Sequence, residues 1–392
     1  MRTLLTCVPG KAHSTALVPL IEASLAEGHE VAVATAETFG RKAFDGLDVT
    51  LLPSGPDWDQ AKPETMPDFH QPGPAQIKSF ARVAGMGMID DLGRHIAAFA
   101  PDVVVRDAME FGGWVAAEKA GVPLASFSSA IGTPRPMLAA LTGPEISALA
   151  EVHGLEPDPE LRRMFSHTYI HRKPRSLDFV FGEPLAKDVR YRPAMFDVAE
   201  PQPPDLLAEL SDGKPIVHLS LGTNFVSSPA GIAVNRAVIE ALADTDVWLV
   251  VTIGSVPAEQ YGEVADNVRL VPFIDHQAFI RHCAVFLNHG SFSAILVAIA
   301  AGVPMGFFPL AADQPVVSMH LSGLGLGASF ANVTRGPYPT LDPAALDRAA
   351  VRERVLKLLN DETVKAAVTE VRDDYAKLPP ITEVVQALGR LT

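Results

Sequence analysis

Phe286-Leu-Asn-His289-Gly290-Ser-Phe-Ser-Ala-Ile-Leu-Val-Ala-Ile-Ala-Ala-Gly302-Val-Pro304, with Asp313-Gln314-Pro315 shortly after it, is the stretch from which the fold is read. The apolar run Val285 to Leu287 predicts a buried strand. A polar His-Gly turn stops it, and an alanine-rich helix begins at once. Small residues at a helix start let backbone N–H groups approach a ligand, and the helix dipole favours negative charge there. The segment reads either as a phosphate seat or as an ordinary strand-to-helix connection capped by Ser291 or Ser293.

The same strand–helix alternation extends in both directions. Thr3 to Val8, Glu30 to Thr35, Val49 to Pro53, Asp102 to Arg106, Pro123 to Ser128 and Asp178 to Phe181 predict buried strands, with helices between them such as Thr15 to Ala26 and Gln76 to Ala100. The proline-dense run Arg192 to Pro204 interrupts the pattern and suits a linker. A second series then runs through Ile216 to Leu221, Val247 to Ile253, Val268 to Val271, Val285 to Leu287 and Met305 to Pro309, followed by helices from Asp342 broken at Pro379-Pro380. The expected class is α/β, with two Rossmann-like, doubly wound parallel sheets. The expected boundaries are 1–198 for the first domain, 199–213 for the linker and 214–375 for the second domain, with 376–392 a helix that could fold back over the first. Sheets of this kind bind ligands at the carboxyl ends of their strands, so facing domains would share one cleft.

The bulk composition narrows the function. Of 392 residues, 48% are hydrophobic and 20% charged, with a formal net charge of −14. An acidic chain has no basic surplus for phosphate backbones, which argues against nucleic acid. Cys7 and Cys283 lie far apart in apolar segments, so free buried thiols are expected, and no metal-ligand cysteine spacing occurs. The N-terminal apolar run is broken by Pro9-Gly10-Lys11, too early for a signal peptide or membrane span, so a cytoplasmic location is expected. Nothing in the sequence sets an oligomeric state.

Several residues could carry chemistry. The first strand ends at Val8-Pro9-Gly10-Lys11-Ala12-His13-Ser14, the place of a dinucleotide fingerprint, but the G-x-G-x-x-G spacing is absent. His13, placed on that loop, could act as a general base or simply cap the helix. Asp107 ends the strand from Asp102; taken singly it reads as a cap for the helix containing Trp114, and taken with His13 on a neighbouring strand end it reads as a carboxylate that holds one imidazole nitrogen. Gly222 and Thr223 follow the first strand of the second series and suit a diphosphate or sugar oxygen. Phe273 could stack on a nucleobase or pack in the core. Asp313 and Gln314 offer a carboxylate and an amide to sugar hydroxyls, or Asp313 is an N-cap. His70 reads as a loop histidine.

With these motifs in order along nearly the whole chain, it resembles the GT-B-fold glycosyltransferases that decorate small molecules, particularly their bacterial natural-product branch. The resemblance is specific at Pro9-Gly10-Lys-Ala-His13, His289-Gly290…Gly302-Val303-Pro304 and Asp313-Gln314. It implies that His13 is the catalytic base, oriented by Asp107. It implies donor binding by Gly10, Gly222, Thr223, Phe273, His289, Gly290, Ser291, Ser293, Asp313 and Gln314. The implied reaction is an inverting transfer from a nucleoside-diphosphate sugar to a small apolar acceptor, with no cofactor and no metal. The segments Trp58 to Val83 and Ser129 to His171, carrying Phe69, Phe80, Met137 and Met164, are candidates for the acceptor pocket or, alternatively, simply pack the first domain.

The family pattern His-Gly-Gly-x-Gly-Thr-x-x-Glu reads here His289-Gly-Ser291-Phe-Ser293-Ala294-Ile-Leu-Val297. The hydroxyl is gone from position 294, and a valine replaces the glutamate that contacts ribose hydroxyls. A valine cannot accept those hydrogen bonds, which favours a dTDP-activated deoxysugar over a UDP-sugar. The altered phosphate motif also suits a non-catalytic auxiliary protein that activates a partner glycosyltransferase, and the His13–Asp107 pair speaks against that.

Overall fold

A computed structural model describes residues 1–58, 78, 81, 86–132, 134–179, 187–196, 204–210, 212–334 and 338–392. Two units divide them: Met1–Ala194 with Lys377–Thr392, and Met195–Ala376. Phe69, His70 and Phe80 lie outside the described residues, as does most of the segment from Trp58 to Val83.

Unit 1 is built on seven strands: β1 (Arg2–Thr6), β2 (Glu30–Thr35), β3 (Thr50–Pro53), β4 (Val103–Asp107), β5 (Leu124–Ser128), β6 (Thr168–His171) and β7 (Asp188–Arg190). They pair in the order β3-β2-β1-β4-β5-β6-β7, every pair parallel. A parallel sheet is covered on both faces, so its strands are apolar at every position rather than at alternate ones. Successive residues then serve different layers. Leu4, Val104 and Leu124 pack with Leu92 and Ile96 of α3 (Met86–Phe99) and Trp114 of α4 (Gly112–Ala120). Leu5, Val105 and Phe127 pack with Leu17, Leu20 and Ile21 of α1 (Lys11–Ala26). α2 (Glu37–Ala43) follows β2, and α5 (Arg135–Val152) lies on the α4 side.

Unit 2 repeats the scheme with β8 (Ile216–Ser220), β9 (Trp248–Thr252), β10 (Val268–Val271), β11 (Val285–Asn288), β12 (Met305–Phe307) and β13 (Gly327–Ser329), ordered β10-β9-β8-β11-β12-β13 and all parallel. Its helices include α6 (Pro229–Leu242), α7 (Phe292–Ala301), α8 (Gln314–Gly323), α9 (Arg348–Leu359) and α10 (Glu362–Ala376). The side chain of Ser228 accepts the Gly231 N–H at 3.0 Å to start α6, and Gly302, left-handed at φ 72°, ends α7. A short helix, Leu206–Glu209, lies within the stretch expected as a linker. The last helix, α11 (Thr382–Gly389), belongs to unit 1, where Val384, Val385 and Leu388 join the layer holding Leu17 and Leu20.

Three expectations about elements need correction. No strand occupies Asp178 or Phe179; the strands in this region are Thr168–His171 and Asp188–Arg190, more polar sequences that the sheet recruits by pairing, the first with β5 and the second with β6. α1 begins at Lys11 and not near Thr15, which puts His13 in its first turn rather than in the loop. Met164 is buried in the core beside Leu161 and Phe165, so it lines no acceptor pocket.

Candidate active site

In each sheet the connections run outward from two central strands. β1 and β4 flank this switch point in unit 1, β8 and β11 in unit 2. Loops leaving two such strands diverge to opposite faces and open a crevice at the carboxyl edge. Most candidate residues of each unit gather there.

In unit 1, Asp107 is the last residue of β4 and His13 follows β1 directly. The His13 Nδ1 lies 2.7 Å from Asp107 Oδ2, with the carboxylate fully buried and the imidazole 20% exposed. Ser129 Oγ donates to Asp107 Oδ1 at 2.7 Å and lies 3.2 Å from His13 Nδ1. Burial alone would raise the Asp107 carboxyl. The charge and hydrogen bond of His13, the Ser129 hydroxyl and Arg106 outweigh it and hold the group below the usual carboxylate range. Gly10 stands against the imidazole: a Cβ there would come 3.0 Å from His13 Cδ2.

Asp107 does not cap the helix containing Trp114. Glu110 takes that role, its Oε1 accepting from Gly112 N–H at 2.5 Å and its Oε2 from Gly113 N–H at 2.8 Å and from the Thr6 hydroxyl at 2.5 Å. Burial raises the Glu110 carboxyl, opposed by these donors and by Arg106. Buried Arg106 ties down the turn after β4, its Nη1 donating to the Ala108 and Glu110 carbonyls at 3.1 and 2.9 Å. Arg172 donates to the Ser129 carbonyl. Sequence reasoning missed Glu110, Ser129, Arg106 and Arg172. The one available signal was a charge inside the otherwise apolar run Val103-Val-Val-Arg106.

In unit 2 the register sets Val271, Thr252, Ser220, Asn288 and Phe307 in one row across β10, β9, β8, β11 and β12. The residues just beyond this row form the candidate donor site. Gly222 has φ +68°, and a Cβ there would come 2.7 Å from His289 Cε1, so glycine is required both by backbone and by space. His289 is 7% exposed and its Nδ1 has no hydrogen-bond partner. Burial depresses the imidazole to about 4, with the Ser220 backbone opposing and His276 reinforcing. At neutral pH it is an uncharged ring with a polar atom unspent.

Asn288, absent from the sequence candidates, shapes the turn by accepting the Gly290 N–H at 2.8 Å; an Asn two residues before a turn glycine is the signal that could have found it. Ser291 occupies the N-cap of α7 without a side-chain capping bond, and Ser293 is exposed. The capping alternative for Ser291 therefore fails. Thr223 is exposed in the single helical turn Gly222–Phe225.

Gln314 is buried against Gly290, and its Oε1 is spent on the Leu310 and Ala311 N–H groups at 2.8 and 3.0 Å. Asp313, next to it, is exposed and makes no side-chain cap to α8. Phe273, just past β10, is 78% exposed, so the core-packing alternative fails there too. Gly222, His289, Gly290 and Gln314 touch; Phe273 stands apart, three strands from β11. Among the described residues no group of three or more His, Cys, Asp or Glu could hold a metal ion, and no helix is long and apolar enough to cross a membrane.

Two doubly wound parallel units, each with its polar residues at the switch point, define a GT-B-type protein. Residues 236–391 match the erythromycin biosynthesis protein CIII-like C-terminal domain. The whole chain is 26% identical to 10-deoxymethynolide desosaminyltransferase of Streptomyces venezuelae and covers 97% of it. It covers 99% of the glycosyltransferase SnogD from Streptomyces nogalater at 26% identity and a TM-score of 0.75. It likewise covers 99% of glycosyltransferase VinC in complex with dTDP, at 24% identity and a TM-score of 0.73. The chain is a glycosyltransferase, similar over its whole length to bacterial natural-product enzymes with the same two-unit fold.

Proposed function

We propose that the protein transfers a sugar from a nucleoside-diphosphate donor to a hydroxyl of a small apolar natural product, with inversion at the anomeric carbon. The observation that carries this reading is the 2.7 Å contact of His13 Nδ1 with buried Asp107 at the unit 1 switch point. With Nδ1 donating to Asp107, His13 Nε2 takes the acceptor hydroxyl proton as that oxygen attacks the anomeric carbon. The bond from carbon to the diphosphate oxygen breaks, and one displacement inverts the configuration. Asp107 stabilises the imidazolium that forms.

The departing diphosphate gains charge, and the N–H groups opening α7 are donors suited to it without a metal ion, joined by His289 Nδ1 when that nitrogen carries the neutral ring's one proton. Phe273 offers its face to the base, with the width of three strand spacings, about 14 Å, left for the nucleoside between β10 and β11. Gly222, Thr223 and Asp313 border the sugar and diphosphate. The donor we favour is a dTDP-deoxysugar, because Val297, half-buried on α7, offers no acceptor for a ribose hydroxyl. The dTDP held by VinC supports the same choice.

The test uses purified protein with a panel of dTDP- and UDP-sugars and a polyketide-like acceptor. His13→Ala is expected to lose roughly a hundred- to ten-thousandfold in transfer, and full activity would refute the base assignment. Val297→Glu is expected to shift the donor ratio toward UDP-sugars; an unchanged ratio would sink the dTDP preference. Turnover only in the presence of a second protein would favour the auxiliary role instead.

A further inference from the structure

We propose that Ser129 is a positioning residue for the reaction, fixing the Asp107 carboxylate so that it holds His13 in the productive tautomer. This rests on the reading of His13 and Asp107 as the base and its orienting acid.

A carboxylate with one bonded oxygen can pivot about its Cβ–Cγ bond. Asp107 is bonded on both: Oδ2 faces His13 Nδ1 at 2.7 Å and Oδ1 accepts the Ser129 hydroxyl at 2.7 Å. The two contacts set the carboxylate plane, and that plane fixes the imidazole ring. Ser129 Oγ is also 3.2 Å from Nδ1, so its lone pair serves as a second acceptor for the same N–H while its own proton goes to Asp107. Both neighbours of Nδ1 therefore want a proton on that nitrogen. That leaves Nε2 unprotonated, as a base requires.

The serine is itself held. It follows β5, which pairs with β4 in register Asp107↔Phe127, and Arg172 anchors its carbonyl. At 8% exposure its hydroxyl has little water to turn to. Its bond to Asp107 also draws charge from the carboxylate, which keeps the proton on the imidazole during transfer rather than passing it to the acid.

Steady-state kinetics of Ser129→Ala, Ser129→Thr and His13→Ala test this in the intact chain. Ser129→Ala is expected to lower kcat roughly ten- to hundredfold with the donor KM unchanged, since a hydrogen bond to a charged group is removed and no donor contact is touched. It is also expected to move the acid limb of kcat/KM to higher pH, because Asp107 then turns its full charge on Nδ1. Arg106, Glu110, Arg172, Cys7 and Tyr169, the other charged or titratable groups around this carboxylate and serine, are unaltered. Ser129→Thr, which keeps the hydroxyl, should recover most of kcat.

An Ala variant with parental kcat and pH profile beside an inactive His13→Ala overturns the role of Ser129 and leaves the base assignment standing. Equal losses in the Ala and Thr variants, with the acid limb unmoved, reduce Ser129 to packing and overturn it as well. A fully active His13→Ala overturns the base assignment, and this inference with it.

Discussion

Replacing Gly222 by alanine would test the donor site through a single methyl group. Two separate costs apply. The backbone sits at φ +68°, where an L-residue costs about 1–2 kcal/mol. The added Cβ would also stand 2.7 Å from His289 Cε1, whereas carbons in contact rest at about 3.5–4.0 Å. The imidazole must therefore withdraw by about 1 Å, and it is buried, with the Phe225 ring centroid 5.5 Å away. A displacement of that size at a reacting group costs up to about a hundredfold.

The two costs can be separated with Gly325→Ala in the same unit. Its φ is +77°, yet its Cβ would meet only Ala367, at an ordinary 3.8 Å. Both variants should lose thermal stability to the backbone strain, Gly222→Ala the more for the crowding of a buried ring. Only Gly222→Ala should bind dTDP more weakly by titration calorimetry, by about ten- to hundredfold. Parental dTDP affinity in a folded Gly222→Ala protein would refute the assignment of His289 to the diphosphate.

Gly10→Ala would press on His13 Cδ2 from 3.0 Å, with an extended backbone that any residue adopts; kcat should fall while thermal stability holds, as activity assays and melting curves would show. Phe273→Ala removes an exposed ring, so melting should be unchanged while dTDP affinity drops by the worth of one base stack, about 1–3 kcal/mol. Buried histidines make the fold acid-sensitive: burial lowers His218 to about 3 and His289 to about 4. Below the ordinary histidine value of about 6.5 the unfolded chain binds protons that the folded chain refuses, so stability is full above that pH and is lost progressively toward pH 4. Melting temperature against pH should show this slope, and His218→Phe should flatten it, though it forfeits the bond from Nδ1 to the Val250 carbonyl.

The central strands were legible because parallel strands buried on both faces are continuous apolar runs, such as Val103 to Val105 or Val285 to Leu287. The apolar edges β3 and β10 were legible too, but the edges β7 and β13 were not. β7 is Asp-Val-Arg and β13 is Gly-Ala-Ser, and neither differs from a loop until a neighbour pairs with it. β6, Thr-Tyr-Ile-His, lost to the more apolar Asp178 to Phe181 because periodicity weighs side chains and cannot weigh pairing. His13 and Asp107 stood out as polar residues where apolar runs stop. Ser129 did not, since a hydroxyl after a strand has many ordinary uses and only distance separates them. Gln314 was legible as a polar residue near the turn, but the sequence could not reveal that its carbonyl oxygen is engaged by two backbone amides.

The placement of α11 in unit 1 makes unit 2 an insert: one continuous block, 195–376, set between two pieces of its neighbour. During synthesis, unit 2 has all its strands before unit 1 has its full helical layer, because Val384, Val385 and Leu388 are added last. Unit 1 must therefore wait, with the apolar faces of Leu17 and Leu20 incompletely covered, while unit 2 folds. Trimming the final helix should accordingly injure the unit that begins the chain and spare the one next to the cut. The same arrangement gives engineering a natural pair of seams: the block 195–376 can be exchanged as a single cassette, provided the closing helix is kept with the unit it completes.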